Sequence, residues 1–282
     1  MNSYSCRKLE VPGLEGVTSL VIGPDDRLYI GGKGKNIFLL YSPAEGRFID
    51  LGLSKILSDG EEIYRGLVVS KKTKKIYGAT SISEDNLRFK QFDYAGGHLF
   101  EYDPDKEKIT DLGIPLPHEA IKGLTISCDG KYLFGASYPS NHLFVYEIET
   151  GEIRDIGPIS RKFRQGYLYI STSTGYIYGF GVGMGAYGKF FKYHPENNHY
   201  EVIELRLPEC DQCDYASPHD TVISNLDAVV NDGDDNIYCS TYPWGDLLKF
   251  YPEKEEFEYI GRPSVSGEIR DRYGDTWSIS SE

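Results

Sequence analysis

One phrase recurs five times along the chain, and a repeat of that kind restricts the fold more than any other property of the sequence. Its clearest copy runs Lys122-Gly123-Leu124-Thr125-Ile126-Ser127, turns at Cys128-Asp129-Gly130 and continues Tyr132-Leu133-Phe134-Gly135-Ala136-Ser137. It then runs His142-Leu143-Phe144-Val145-Tyr146 and, after Thr150-Gly151-Glu152, closes on Ile153-Arg154-Asp155-Ile156-Gly157. Each piece is a short alternating run bounded by turn-forming residues, so each phrase reads as four strands, a to d.

The preceding copy holds Arg65–Ser70, Ile76–Thr80, His98–Tyr102 and Ile109–Gly113, and the first holds Thr18–Ile22, Arg27–Gly31, Ile37–Tyr41 and Phe48–Gly52. A more degenerate fourth copy spans Gly166–Ser171 to Tyr200–Ile203, and the fifth spans Leu226–Val230 to Phe257–Gly261. A period of roughly 45 residues with four strands per unit marks a β-propeller rather than a sandwich. The expected fold is all-β: one propeller domain over residues 1–282, with four-stranded antiparallel blades near 17–57, 62–116, 119–159, 163–207 and 222–263. Residues 5–12 and 274–282 resemble a strand d and a strand a, and are expected to form a partial blade from the two termini. That blade would lack strands b and c, so the natural protein is expected to continue, or another chain to complete the blade; a five-bladed ring with trailing ends is the alternative.

Composition narrows the partners. A formal charge of −13 repels phosphate, which argues against nucleic acid and anionic membrane. The first residues carry no apolar leader and no run is long enough to span a bilayer, so a cytoplasmic protein is expected. Five scattered cysteines do not make a disulfide framework, which fits a reducing compartment.

Superposing the copies places two rings of residues on the face where the d–a and b–c loops emerge. The residues entering strand a are Thr18, Arg65, Lys122, Gln165, Asp227 and Asp275, with Arg164 beside them. Arg65, Lys122 and Arg164 would hold a carboxylate or sulfate through charge-assisted hydrogen bonds; equally, they would pair with Glu61, Glu62, Glu119 or Asp227. The second ring opens strand c with Asn36, His98, His142, Lys189 and Asp246. His98 and His142 would serve one ligand as general base and partner or as metal ligands, unless repetition alone put them there. The b–c loops add the long Ser81–Gly97 segment, whose Arg88, Phe89, Lys90, Phe92 and Tyr94 suit an anionic sugar or a partner peptide, and the loops Tyr138-Pro139 and Tyr242-Pro243-Trp244, whose Tyr138 and Trp244 suit sugar stacking or protein contact.

Three motifs are weaker. Gly181-Val182-Gly183-Met184-Gly185-Ala186-Tyr187-Gly188 is expected to lie between two strands with no helix after it, so a nucleotide loop lacks its context. Cys210-Asp211-Gln212-Cys213 with His219 supplies two or three of the four ligands that a structural zinc needs. Asp232-Gly233-Asp234-Asp235-Asn236 falls at an a–b turn, and turn chemistry explains it.

The stretch Gly97-His98-Leu99-Phe100-Glu101-Tyr102-Asp103-Pro104, with Asp111-Leu112-Gly113 and Asp155-Ile156-Gly157, resembles the streptogramin lyase-like and gluconolactonase-like propellers and the propeller polysaccharide lyases. The resemblance covers most of the chain, but blade consensus residues carry it. It implies histidine, tyrosine and arginine at the channel mouth, in some members with a divalent metal; the residues themselves identify no cofactor. Only His98, His142, Arg65 and Lys122 match that role. Two functions follow: binding of an acidic saccharide, another anionic small molecule or a protein partner at the channel mouth, or a carbon–oxygen lyase acting on an acidic saccharide at the same place. In the lyase, His98 or His142 would abstract a proton while Arg65 or Lys122 neutralises the adjacent carboxylate. A lactone hydrolase would want a cluster of metal-ligating carboxylates that the sequence does not single out.

Overall fold

The computed structural model describes residues 11, 13–34, 36–57, 60–82, 93–158, 163–183, 189–204, 225–231, 235–242, 246–261, 267–270 and 276–279. Each of the five repeat phrases is a four-stranded antiparallel sheet, and together the sheets form a β-propeller. Blade 1 is β1 (Gly16–Ile22), β2 (Leu28–Lys33), β3 (Phe38–Ser42) and β4 (Arg47–Asp50). Blade 2 is β5 (Leu67–Ser70), β6 (Lys75–Ala79), β7 (Leu99–Asp103) and β8 (Lys108–Gly113). Blade 3 is β9 (Ala120–Ile126), β10 (Tyr132–Tyr138), β11 (His142–Glu147) and β12 (Ile153–Pro158). Blade 4 is β13 (Phe163–Ser171), β14 (Ile177–Gly183), β15 (Lys189–His194) and β16 (His199–Glu204). Blade 5 is β17 (Asn225–Asn231), β18 (Ile237–Tyr242), β19 (Leu247–Tyr251) and β20 (Glu256–Gly261).

A further pair, β21 (Gly267–Arg270) and β22 (Thr276–Ile279), forms a two-stranded hairpin of its own. Its first strand was not legible as one, because Gly267-Glu268-Ile269-Arg270 holds a single apolar residue. Of the expected terminal blade, residues 5–10, 12, 274–275 and 280–282 lie outside the described residues.

The blades pack face to face through four apolar cores. Tyr29, Phe38, Ile63 and Phe100 join blades 1 and 2. Tyr77, Leu99, Leu124 and Phe144 join blades 2 and 3. Phe134, Val145, Phe191 and Tyr193 join blades 3 and 4, and Tyr178, Ile237, Leu248 and Phe250 join blades 4 and 5. Strand c supplies a phenylalanine in the three central blades, and strand b answers each with a glycine: Gly78 faces Phe100, Gly135 faces Phe144 and Gly179 faces Phe191. Blades 1 and 5 divide the volume differently, with Ile30 against Leu39 and Cys239 against Leu248.

The innermost strands β1, β5, β9, β13 and β17 all contribute residues to a central cavity of about 1500 Å³. Glu15, Thr18, Lys33, Tyr64 and Arg65 lie at the end where strands a begin, and Lys71, Lys72, Ser127, Cys128 and Asn231 at the end where they turn into strands b.

Candidate ligand-binding site

At the first end of the cavity two cations lie close to the Tyr64 ring. The Arg65 guanidinium carbon is 5.7 Å from the Tyr64 ring centroid and the Lys122 ammonium 4.6 Å, both within cation–π range. Arg65 takes a left-handed backbone, with φ of 48°, and its carbonyl accepts a hydrogen bond from the Leu124 amide at 3.2 Å. The neighbouring blade therefore anchors Arg65 while the residue lines the cavity.

Lys122 behaves otherwise. Its side chain is 2 % exposed, its ammonium donates to the Ile82 carbonyl at 3.3 Å, and it lies 3.7 Å from the Glu62 carboxylate. The pairing with Glu62 that the sequence allowed is thus present, and Lys122 is not among the residues lining the cavity.

Two buried carboxylates brace the same face. Glu119 accepts hydrogen bonds from the Ser137 hydroxyl at 2.9 Å, the Ser140 amide at 3.0 Å and the Ser140 hydroxyl at 2.5 Å. One blade earlier, Glu61 accepts from the Thr80 hydroxyl, and its backbone exchanges hydrogen bonds with Asn36. The hydroxyl of Thr80 or Ser137 in turn accepts from the amide that opens strand c, His98 or His142. Tyr94 comes from the long b–c segment; burial first, then the charges of Glu61 and Glu62, holds its phenol well above the ordinary range.

Each histidine is tied to an aspartate of its own blade. His98 Nδ1 lies 3.0 Å from Asp111 and His142 Nδ1 2.9 Å from Asp155, 13 residues apart in both blades. The same carboxylates accept the Gly113 and Gly157 amides at 2.8 Å, which fixes them in their turns. Blade 5 places Asp246 and Tyr259 at the same separation, the phenol donating to a fully buried carboxylate at 3.4 Å. Neither histidine lines the cavity. Sequence reasoning missed the aspartate partners and Tyr64; the recurring Asp-x-Gly of strand d was the available signal for the former.

Tyr138 ends β10, followed by Pro139 across a cis bond, and is partly exposed near the Glu119-braced turn. For Arg164, Gln165, Lys189 and Asp227 only the backbone is described, in β13, β15 and β17. Trp244, Cys210, Cys213, His219, Met184, Gly185, Asp232, Gly233, Asp234 and residues 83–92 lie outside the described residues. Among the described residues no group of three or more His, Cys, Asp or Glu side chains is placed to hold a metal ion.

No protein-family model matches the sequence, and no curated protein matches it. Solved structures do resemble the fold. Virginiamycin B lyase from Staphylococcus aureus with quinupristin superposes with a TM-score of 0.59 at 12% identity, over 92% of this chain and 74% of that one. An oligogalacturonate lyase in complex with manganese gives 0.56 at 12% identity, over 92% and 68%. An auxiliary nutrient binding protein from Bacteroides thetaiotaomicron gives 0.55 at 13% identity, over 88% and 57%. At such identities the likeness is one of fold, and the chain is a β-propeller of the architecture these lyases and this binding protein share.

Proposed function

We propose that the chain binds an acidic saccharide, or a comparable small anion, at the Arg65 end of its central cavity. One observation carries this reading: Arg65 is held by its neighbour blade at the cavity wall beside Tyr64, which sets a guanidinium fork next to an aromatic ring. A guanidinium grips a carboxylate through two parallel hydrogen bonds, and a tyrosine face suits a sugar ring. The oligogalacturonate lyase and the nutrient binding protein among the solved neighbours support a small-molecule ligand. A cytoplasmic location belongs to the same proposal, to be tested by fractionation; no described helix is long and apolar enough to cross a membrane.

The His–Asp pairs favour a second reading, a lyase at the same channel mouth, with the saccharide extending past the cavity lining to the histidines. A carboxylate at Nδ1 orients an imidazole so that Nε2 can take a proton, the arrangement a general base needs. Calorimetry with galacturonate oligomers, run beside ultraviolet absorbance for an unsaturated product, separates the two. Binding without an absorbance rise, weakened at least tenfold in Arg65→Ala, is the expected result. An absorbance rise abolished by His98→Ala or His142→Ala moves the assignment to the lyase, and the absence of binding by any uronic oligomer overturns both.

A further inference from the structure

The far end of the same cavity has a different chemistry. Six large hydrophobic side chains stand exposed among the described residues; Leu20, Ile22 and Val230 line the cavity toward this end, and Val17 lines it nearer Thr18. Exposed aliphatic area gathered in one concavity marks a contact surface. These residues belong to the innermost strands of blades 1 and 5, between which the described residues form no apolar core.

Charge identifies the occupant. In a chain of net charge −13, the charged residues lining the cavity are Lys33, Arg65, Lys71 and Lys72 against Glu15 alone, among the described residues. Glu15 lies beside Lys33, since its amide donates to the Lys33 carbonyl at 3.0 Å, so at the first end a carboxylate offsets one of the two cations. At the a–b end Lys71 and Lys72 stand exposed, with Ser70, Ser127 and Asn231 around them and no carboxylate lining the cavity there. Neither lysine makes a hydrogen bond or ion pair with another described residue.

From this complementarity we propose a second binding site for an amphipathic anion, with its hydrocarbon body along Leu20, Ile22 and Val230 and its acidic head at Lys71 and Lys72. The apolar wall supplies most of the affinity and the two ammonium groups fix the direction of entry. The site is at the opposite end of the cavity from Arg65 and does not depend on the saccharide reading.

Decanoate is the test probe, with galacturonate as an anion lacking the hydrocarbon and decyl maltoside, below its micellar concentration, as a hydrocarbon lacking the charge. Calorimetry should show decanoate binding at one site, with decyl maltoside at least tenfold weaker. The double variant Lys71→Glu with Lys72→Glu, and separately Leu20→Asp, should each weaken decanoate at least tenfold while leaving galacturonate unchanged. All three positions are exposed, so circular dichroism should confirm unchanged folds. No decanoate binding, decyl maltoside binding as tight as decanoate, or decanoate binding insensitive to the charge reversal overturns the proposal. So does a dimer in sedimentation that Leu20→Asp dissolves and decanoate does not, because the wall would then be covered by a second copy. Loss of galacturonate binding alone refutes the saccharide reading and leaves this one standing.

Discussion

Gly135 and Phe144 meet across β10 and β11 so closely that a methyl group on Gly135 would lie 2.1 Å from the tip of the phenylalanine ring. Gly78 with Phe100 and Gly179 with Phe191 repeat the relation at 2.0 Å. Gly135→Ala should therefore destabilise the protein by about 1–3 kcal/mol through overpacking. Adding Phe144→Leu should recover part of the loss, because blades 1 and 5 already combine a larger strand-b residue with leucine. Urea denaturation of the single and double variants measures both.

Glu119 should be worth more to stability than an exposed carboxylate. It is 8 % exposed and accepts three hydrogen bonds, two of them from Ser140 in the turn after Tyr138. Glu119→Ala leaves those donors unmet at a cost of about 2–3 kcal/mol, and limited proteolysis should then cut near Ser140 sooner than in the parent protein.

Lys122 is a buried cation whose removal strands its partner. Lys122→Met should destabilise by about 3 kcal/mol, since it removes the ammonium 3.7 Å from the Glu62 carboxylate, in a site 9 % exposed. The double variant with Glu62→Gln should be more stable than Lys122→Met, and thermal melts of the pair distinguish a stranded charge from lost packing.

Alkaline pH should unfold the protein through its buried tyrosines. Burial, with Glu255 adding to it, pushes the Tyr178 phenol up to about 12, and its hydroxyl donates to the Pro252 carbonyl at 3.3 Å. Burial raises Tyr200 to about 12 as well. A raised acid stabilises the fold fully below its unfolded value of 10.0 and ceases to do so as pH climbs through about 12. Stability from urea titrations should fall between pH 10 and 12, and Tyr178→Phe should flatten part of that slope.

The blades were legible because each strand carries its own alternation and each turn its own Gly, Asp or Asn, so local chemistry and global fold agree. The hairpin strand at Gly267–Arg270 was not, since its pairing with Thr276–Ile279 comes from register rather than from pattern. The site was less legible than the fold. His98 and Asp111 meet because a bulge between Leu99 and Phe100 shifts the β7–β8 register, and no linear count reveals a bulge. Lys122 and Arg65 look equivalent in the repeat, yet one is turned into the wall beside Glu62 and the other lines the cavity.

The four apolar cores make the described blades a linear stack of nearest neighbours. Blades 2, 3 and 4 are each clamped on two sides, whereas blades 1 and 5 share a described core on one side only. In such an array cooperativity spreads inward from the least supported members. Amide hydrogens of β10 should exchange with solvent last, and those of β2 and β18 earlier, so that the molecule opens like a fan whose outer leaves loosen before its middle ones.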